Sequence, residues 1–246
     1  MRAYLWSQLA YLQRNTRLYV ESETLLISGG FVALGRLVSI AVHLDHGDRK
    51  EDILRSLFLG FDSIMVDGSK LSFQENVQFT KALSQAASGK QIMVEAELGR
   101  LSGTEDGLTV EEYEALFTDV NQAEEFLSET RVNALAVCIG NVHGSYPPGG
   151  PKLNLDLLKD LNLVAERHDA VLVLHGASGV PEEYVKACIE RGVVKFNVNT
   201  EVRGAYMETL KSEQKDLVDF MSSSKQAMEK VVLEKLRLFG SSGKAT

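Results

Sequence analysis

From residue 37 onward, short apolar runs rich in β-branched residues alternate with longer segments of helical periodicity. Strand-like runs fall at 37–44, 62–67, 91–97, 133–139, 170–175 and 193–198. Helical segments fall near 50–59, 73–87, 109–128, 154–168 and 181–191, and helical pattern continues from about 200 to 238. Strand, helix, strand at this spacing builds βαβ units and hence a parallel sheet. Runs apolar on both sides, such as Ala134-Leu135-Ala136-Val137-Cys138-Ile139, suit a sheet covered by helices. No linker divides the 246 residues, which suffice for one large α/β domain. The expected architecture is a (β/α)8 TIM barrel, incomplete at the N-terminus. Two strands ahead of the six visible ones would need roughly 60 residues, and only 36 are available. The chain therefore reads as an atypical segment, 1–36, followed by a single barrel domain, 37–246.

Composition narrows the partners. A formal net charge of −8 without a basic stripe argues against nucleic acid. No apolar run approaches the roughly 20 residues of a membrane helix. Cys138 and Cys188 fit no zinc or redox spacing and read as free thiols in a reducing compartment, so a cytoplasmic location is expected. Residues 1–20 contain Arg2, Arg14 and Arg17 and no acidic residue, which leaves an organelle transit segment open beside an amphipathic first helix.

Three of the five histidines share one setting. His46, His143 and His175 each end or closely follow a strand-like run, and each is followed by glycine. A strand stopping at His-Gly presents an imidazole at its tip. If the strands are parallel neighbours, three imidazoles converge at one end of the sheet and form a divalent-metal site with an open position.

Other chemistry-bearing residues gather at the same tips, where barrels place catalytic groups. Asp45 adjoins His46 and is a candidate proton donor or acceptor, or a turn cap. Asp67 could hold a ligand imidazole or serve a structural role at the following helix, the latter slightly preferred. Glu95 and Glu97 share one strand face, which favours Glu97 as a second or alternative metal ligand. The loop 99–107 is glycine-rich and carries Glu105, a carboxylate that can move over the mouth. Gly176-Ala177-Ser178-Gly179 and Asn197-Val198-Asn199-Thr200 occupy the positions where barrels hold phosphate. Lys195 shares strand parity with Asn197 and leaves a Schiff-base mechanism as an alternative.

HLDHG at 43–47, the spaced GF-S-M-DGS of 60–69, VEAELG at 94–99, GNVHG at 140–144, LHGASG at 174–179 and NVNTE at 197–201 together resemble the class II, metal-dependent ketose-bisphosphate aldolases. The resemblance runs from about His43 to Met207. It implies a barrel in which His46, His143 and His175 hold one catalytic Zn2+ per chain, with Glu97 at an alternative metal position. It implies that Asp45 exchanges a proton with the C4 oxygen, and that Glu105 moves the proton at the hydroxymethyl carbon of dihydroxyacetone phosphate. Asn197 would contact substrate near its carbonyl, and Gly144, Gly176, Ser178, Asn199 and Thr200 would lie in phosphate-binding segments. The GNVHG and HGASG backbones hold a monovalent cation in some members. The implied reaction is reversible cleavage of fructose or tagatose 1,6-bisphosphate, through a zinc-stabilised enediolate, to dihydroxyacetone phosphate and glyceraldehyde 3-phosphate. A homodimer or homotetramer is implied as well. The family has two strands before HLDHG that residues 1–36 do not resemble, so a catalytically inactive aldolase-like subunit, or a piece of a longer fusion, is the alternative.

Overall fold

The computed structural model describes residues 41–105, 108–110, 117–144, 146, 149–212 and 216–244. Among these, six parallel strands form one sheet in the order β1 (His43–Gly47), β2 (Ser63–Val66), β3 (Met93–Leu98), β6 (Ala134–Val137), β8 (Val171–Leu174) and β9 (Val193–Phe196). Helices α1 (Lys50–Leu59), α2 (Phe73–Ala87), α3 (Val120–Thr130), α4 (Leu155–Arg167) and α5 (Glu182–Glu190) alternate with them. A smaller sheet orders β5 (Leu108–Val110), β4 (Ser102–Glu105) and β7 (Val142–His143). The chain closes with α6 (Thr200–Thr209) packed on α7 (Leu217–Leu238).

Local chemistry sets these boundaries. Ser72 and Glu75 close a reciprocal capping box on α2. Asp119, Asn154 and Asp216 accept backbone N–H groups at the starts of α3, α4 and α7. β2 and β6 are buried at every residue, as a sheet covered by helices requires. The main core, including Ile53, Ile64, Phe126, Leu135, Leu158 and Leu172, packs these helices against the sheet. A second, small cluster of Met65, Ala134, Ala136 and Val173 fills the opposite, inner face.

The sheet is strongly curled. β1 and β9 are its two edges, and in a flat sheet of this width they would stand about 24 Å apart. Yet Asn197, just past β9, donates from Nδ2 to Asp45 Oδ1 of β1 at 3.0 Å. Six parallel strands with intervening helices, curled this way, make an incomplete (β/α)8 barrel, as the sequence pattern leads one to expect.

Three expected elements differ. The first strand, expected at 37–44, runs at His43–Gly47 and so passes through the histidine motif; residues 37–40 and the rest of the segment 1–36 lie outside the described residues. Of the helix expected over 109–128, Val120–Thr130 is observed; Leu108–Val110 instead pairs antiparallel with Ser102–Glu105, and residues 111–116 lie outside the described residues. Asp106-Gly107 between those strands is a hairpin signal. The expected strand 133–139 stops at Val137, and a separate strand, β7, carries His143.

Candidate active site

The mouth is shaped by how β1 ends. A regular strand would send Asp45 and His46 to opposite faces. Here His46 has left-handed backbone, φ 46°, and the β1–β2 register slips between Leu44 and Gly47. This bulge lets both side chains reach the mouth. Gly47 then passes so close to β2 that a Cβ would lie 2.7 Å from the Met65 carbonyl oxygen.

His175 follows β8 and is fully buried. Its carbonyl accepts Asn141 Nδ2 at 3.1 Å, and the Gly176 carbonyl accepts the Tyr146 hydroxyl at 2.9 Å. These bonds tie the segment after β8 to the one that carries His143. Gly176 has φ 66°, and a Cβ there would lie 2.0 Å from the Val142 carbonyl oxygen. His143 arrives on β7, whose partner is β4 (Gly103 opposite His143), and so from outside the six-stranded sheet.

The three rings converge. Their centroids are 4.8 Å apart for His46 and His175, 5.3 Å for His46 and His143, and 6.0 Å for His143 and His175. One nitrogen from each lies within 4.8 Å of the others. Carboxylates assign two of the tautomers. His46 Nδ1 is 2.7 Å from Asp67 Oδ2, and His175 Nε2 is 3.0 Å from Glu95 Oε1. Both nitrogens are therefore N–H donors, which leaves lone pairs on His46 Nε2 and His175 Nδ1. Those two atoms face each other at 3.1 Å. Two imidazole ligands of a tetrahedral zinc stand about 3.3 Å apart. Opposed lone pairs at this spacing suit a shared cation, so the three histidines could hold a divalent ion. His46, Asp67 and Glu97 form a second such group, with Glu97 Oε2 3.9 Å from His46 Nδ1.

A network of charges supports the rings. Lys195 Nζ is 2.9 Å from Glu95 Oε2 and donates to Asn197 Oδ1 at 2.7 Å. Asn197 Nδ2 in turn reaches Asp45. Burial would raise the Asp45 carboxyl, but His175 and His46, when protonated, together with Lys195 hold it well below the usual carboxylate range. Burial is likewise outweighed at Asp67 by the His46 hydrogen bond and by the hydrogen bonds from Ser69. At Glu95, Lys195 and His175 prevail over burial and hold the carboxyl at about 2. Burial first, then Lys195, pushes the His43 imidazole down to about 4; its Nδ1 meets Ser63 Oγ at 2.8 Å.

The expected phosphate segments also meet. Gly176, Ser178 and the rest of the loop after β8 lie beside the start of α6, where Asn199 is the cap residue and Thr200 the first helical one. Glu201 bridges them: its N–H donates to Ser178 Oγ at 3.3 Å, and its Oε1 accepts the Gly179 N–H at 2.7 Å. Gly144 follows His143 on the neighbouring segment. The backbone of Glu105 ends β4, and its side chain lies outside the described residues.

Four residues have larger parts than the sequence suggests. Asp67 orients His46 and does not cap α2, a task Ser72 performs. Glu95 and Lys195 form a buried pair across the barrel, and His43 Nε2 lies 3.8 Å from Glu95 Oε2. Period two was the available signal: Glu95 shares a face with Glu97, and Lys195 with Asn197.

A parallel barrel sheet with a histidine and carboxylate cluster at the C-terminal strand ends is the arrangement of a barrel enzyme whose mouth could hold a metal ion. Comparison with known proteins narrows that class. The family model described as Fructose-bisphosphate aldolase class-II matches residues 19–244. The chain belongs to the class II fructose-bisphosphate aldolase family and is an aldolase, a carbon–carbon lyase. A sulfofructosephosphate aldolase from Alkalicoccus urumqiensis is 40% identical over 214 residues, covering 85% of this chain and 73% of its own length. A 6-phospho-5-dehydro-2-deoxy-D-gluconate aldolase from Bacillus velezensis is 39% identical over 214 residues, covering 85% and 71%. Among solved structures, a putative fructose-1,6-biphosphate aldolase from Coccidioides immitis superposes with a TM-score of 0.79 at 32% identity, covering 98% of this chain and 88% of that one. The YdjI aldolase from Escherichia coli K12 gives 0.79 at 29% identity, covering 100% and 89%.

Proposed function

We propose that the barrel, residues 37–246, is a zinc-dependent aldolase that reversibly cleaves a phosphorylated ketose to dihydroxyacetone phosphate and an aldehyde. Fructose and tagatose 1,6-bisphosphate, which would yield glyceraldehyde 3-phosphate, are the first substrates to test. The observation that carries the reading is the pair of lone pairs on His46 and His175, opposed at 3.1 Å with His143 beside them. His46, His143 and His175 would hold the ion, and Glu97 would be its alternative ligand. When bound, zinc supplies Lewis-acid polarisation of the substrate ketone.

The protein's own groups account for binding and proton transfer. Asp45, ionised in the field of its neighbours, accepts the proton of the C4 hydroxyl as the C3–C4 bond breaks. Asn197 fixes that carboxylate through its 3.0 Å hydrogen bond and presents its amide near the substrate carbonyl. Lys195 holds the Asn197 oxygen and is ion-paired with Glu95, which disfavours it as a Schiff-base nucleophile. Glu105, on the hairpin above the mouth, delivers a proton to the carbon released from C4. Gly144, Gly176, Ser178, Asn199 and Thr200 bind phosphate through backbone N–H groups and the start of α6. The same backbones around Gly144 and Gly176 would take a monovalent cation.

The names of the relatives favour a second reading of the distal end. A 6-phospho-5-dehydro sugar has its ketone beside the phosphorylated carbon, the half of the substrate that the mouth recognises. The other end differs between the two relatives, so a substrate with one phosphate is the alternative to a bisphosphate. Zinc analysis of the purified protein, with cleavage assays on both bisphosphates and on a ketose 1-phosphate, tests the proposal. His143→Ala is expected to lose zinc and cleavage together; retention of both at parental levels would refute it.

A further inference from the structure

We propose that Lys195, held by Glu95, fixes which way the Asn197 amide faces and is thereby a positioning residue for C3–C4 cleavage, a role that rests on the reaction proposed above. The backbone of Asn197 is already pinned. Its N–H donates to the Leu174 carbonyl at 3.1 Å, and its own carbonyl accepts the Ala177 N–H at 3.1 Å. The side-chain amide is another matter. Its oxygen and nitrogen ends have nearly the same size but opposite hydrogen-bonding character, so its neighbours decide its orientation.

Three neighbours do so. Lys195 Nζ, which can only donate, lies 2.7 Å from Asn197 Oδ1. Asp45 Oδ1 at 3.0 Å and the lone pair of His175 Nδ1 at 3.4 Å face Asn197 Nδ2. A turned-over amide would set its N–H groups against an ammonium and its oxygen against a carboxylate, and each contact would become unfavourable. Two of these neighbours change during the reaction. His175 Nδ1 is committed to the ion, and Asp45 gains the C4 proton. Lys195 keeps the same character from start to finish. It is also firmly held. It shares a strand face with Asn197, and both oxygens of the buried Glu95 reach its Nζ, at 3.1 and 2.9 Å. Glu95 Oε1 in turn accepts the His175 Nε2–H at 3.0 Å. The chain Glu95, Lys195, Asn197, Asp45 thus runs from β3 through β9 to β1, and it delivers an N–H to the carboxylate that takes the proton.

The test replaces the ion pair by neutral groups, Glu95→Gln with Lys195→Met, so that no buried charge is left alone and the fold holds. Circular dichroism and zinc analysis check both. In this variant kcat should fall about 10–100-fold, with KM within about threefold of the parent. Asn197→Ala should be impaired at least as much, and adding the neutral pair to it should change kcat by less than about twofold. The amide is also read directly, by NMR of the full chain carrying isotopically labelled asparagine. The Asn197 side-chain signals are those missing from the Asn197→Ala spectrum. In the neutral-pair variant they should shift, and their exchange with water should quicken about tenfold. Parental kcat in that variant would overturn the positioning role. So would an equal further loss on top of Asn197→Ala, because Lys195 would then act apart from Asn197. Unchanged amide signals would overturn the orientation itself. A parent that cleaves neither the bisphosphates nor a ketose 1-phosphate would refute the reaction and the positioning role with it, while the amide signals would still decide the orientation.

Discussion

Asp67 offers the sharpest test of how the mouth works, because it touches the proposed ion only through His46. Its Oδ2 accepts the His46 Nδ1–H at 2.7 Å, and its Oδ1 accepts the Ser69 N–H at 3.0 Å. The first bond fixes the tautomer that aims the Nε2 lone pair at His175. A charge-assisted bond of this kind contributes about 1.5–3 kcal/mol. The loss of such a ligand-orienting group lowers metal affinity by about 10–100-fold. Asp67→Asn has one acceptor oxygen where two are in use, and it carries no charge. Asp67→Ala removes both bonds. We expect zinc affinity to fall about tenfold in the Asn variant and nearer 100-fold in the Ala variant. Titration against a chromogenic chelator of known affinity gives the numbers, and circular dichroism confirms the fold. Affinities indistinguishable from the parent in both variants would show that Asp67 does not orient the ligand.

Three other outcomes are expected. Asp45→Ala should keep its zinc while losing cleavage, measured by metal analysis beside a coupled assay; loss of zinc would remove Asp45 from its proton-transfer role. Glu95→Gln takes the counter-charge from Lys195 in a buried setting and should lower unfolding free energy by about 3 kcal/mol, read from urea denaturation. A change below about 1 kcal/mol would mean that the pair is dispensable for stability. Gly176→Ala combines a left-handed backbone with a Cβ 2.0 Å from the Val142 carbonyl oxygen. It should cost at least about 2 kcal/mol by the same method, and a neutral result would contradict the close approach.

Features written in neighbouring residues were the legible ones. The helices expected at 50–59 and 73–87 are observed at Lys50–Leu59 and Phe73–Ala87, because Gly60 and the Ser72–Glu75 box are local signals. The convergence of His46, His143 and His175 was legible too, from three repeats of one strand-tip pattern. Pairings between distant residues were not. Glu95 and Lys195 meet across the barrel at a separation of 100 residues, and no local pattern announces which inward carboxylate finds which ammonium. The bulge that turns Asp45 and His46 together depends on register with β2, so strand alternation alone misplaces it. The hairpin of β4 and β5 lies where glycine-rich composition favours a loop, although Asp106-Gly107 between its strands is a local hairpin signal.

Asn197 reaching Asp45, and His175 reaching His46, bring the last strand of the sheet and the one before it onto the first. An ion seated on His46 and His175 would therefore work as a clasp as well as a reagent, stitching the two margins of the half-barrel shut. Binding free energy spent there is also folding free energy. Metal scarcity should then be felt as faster turnover of the protein itself, before any substrate is offered.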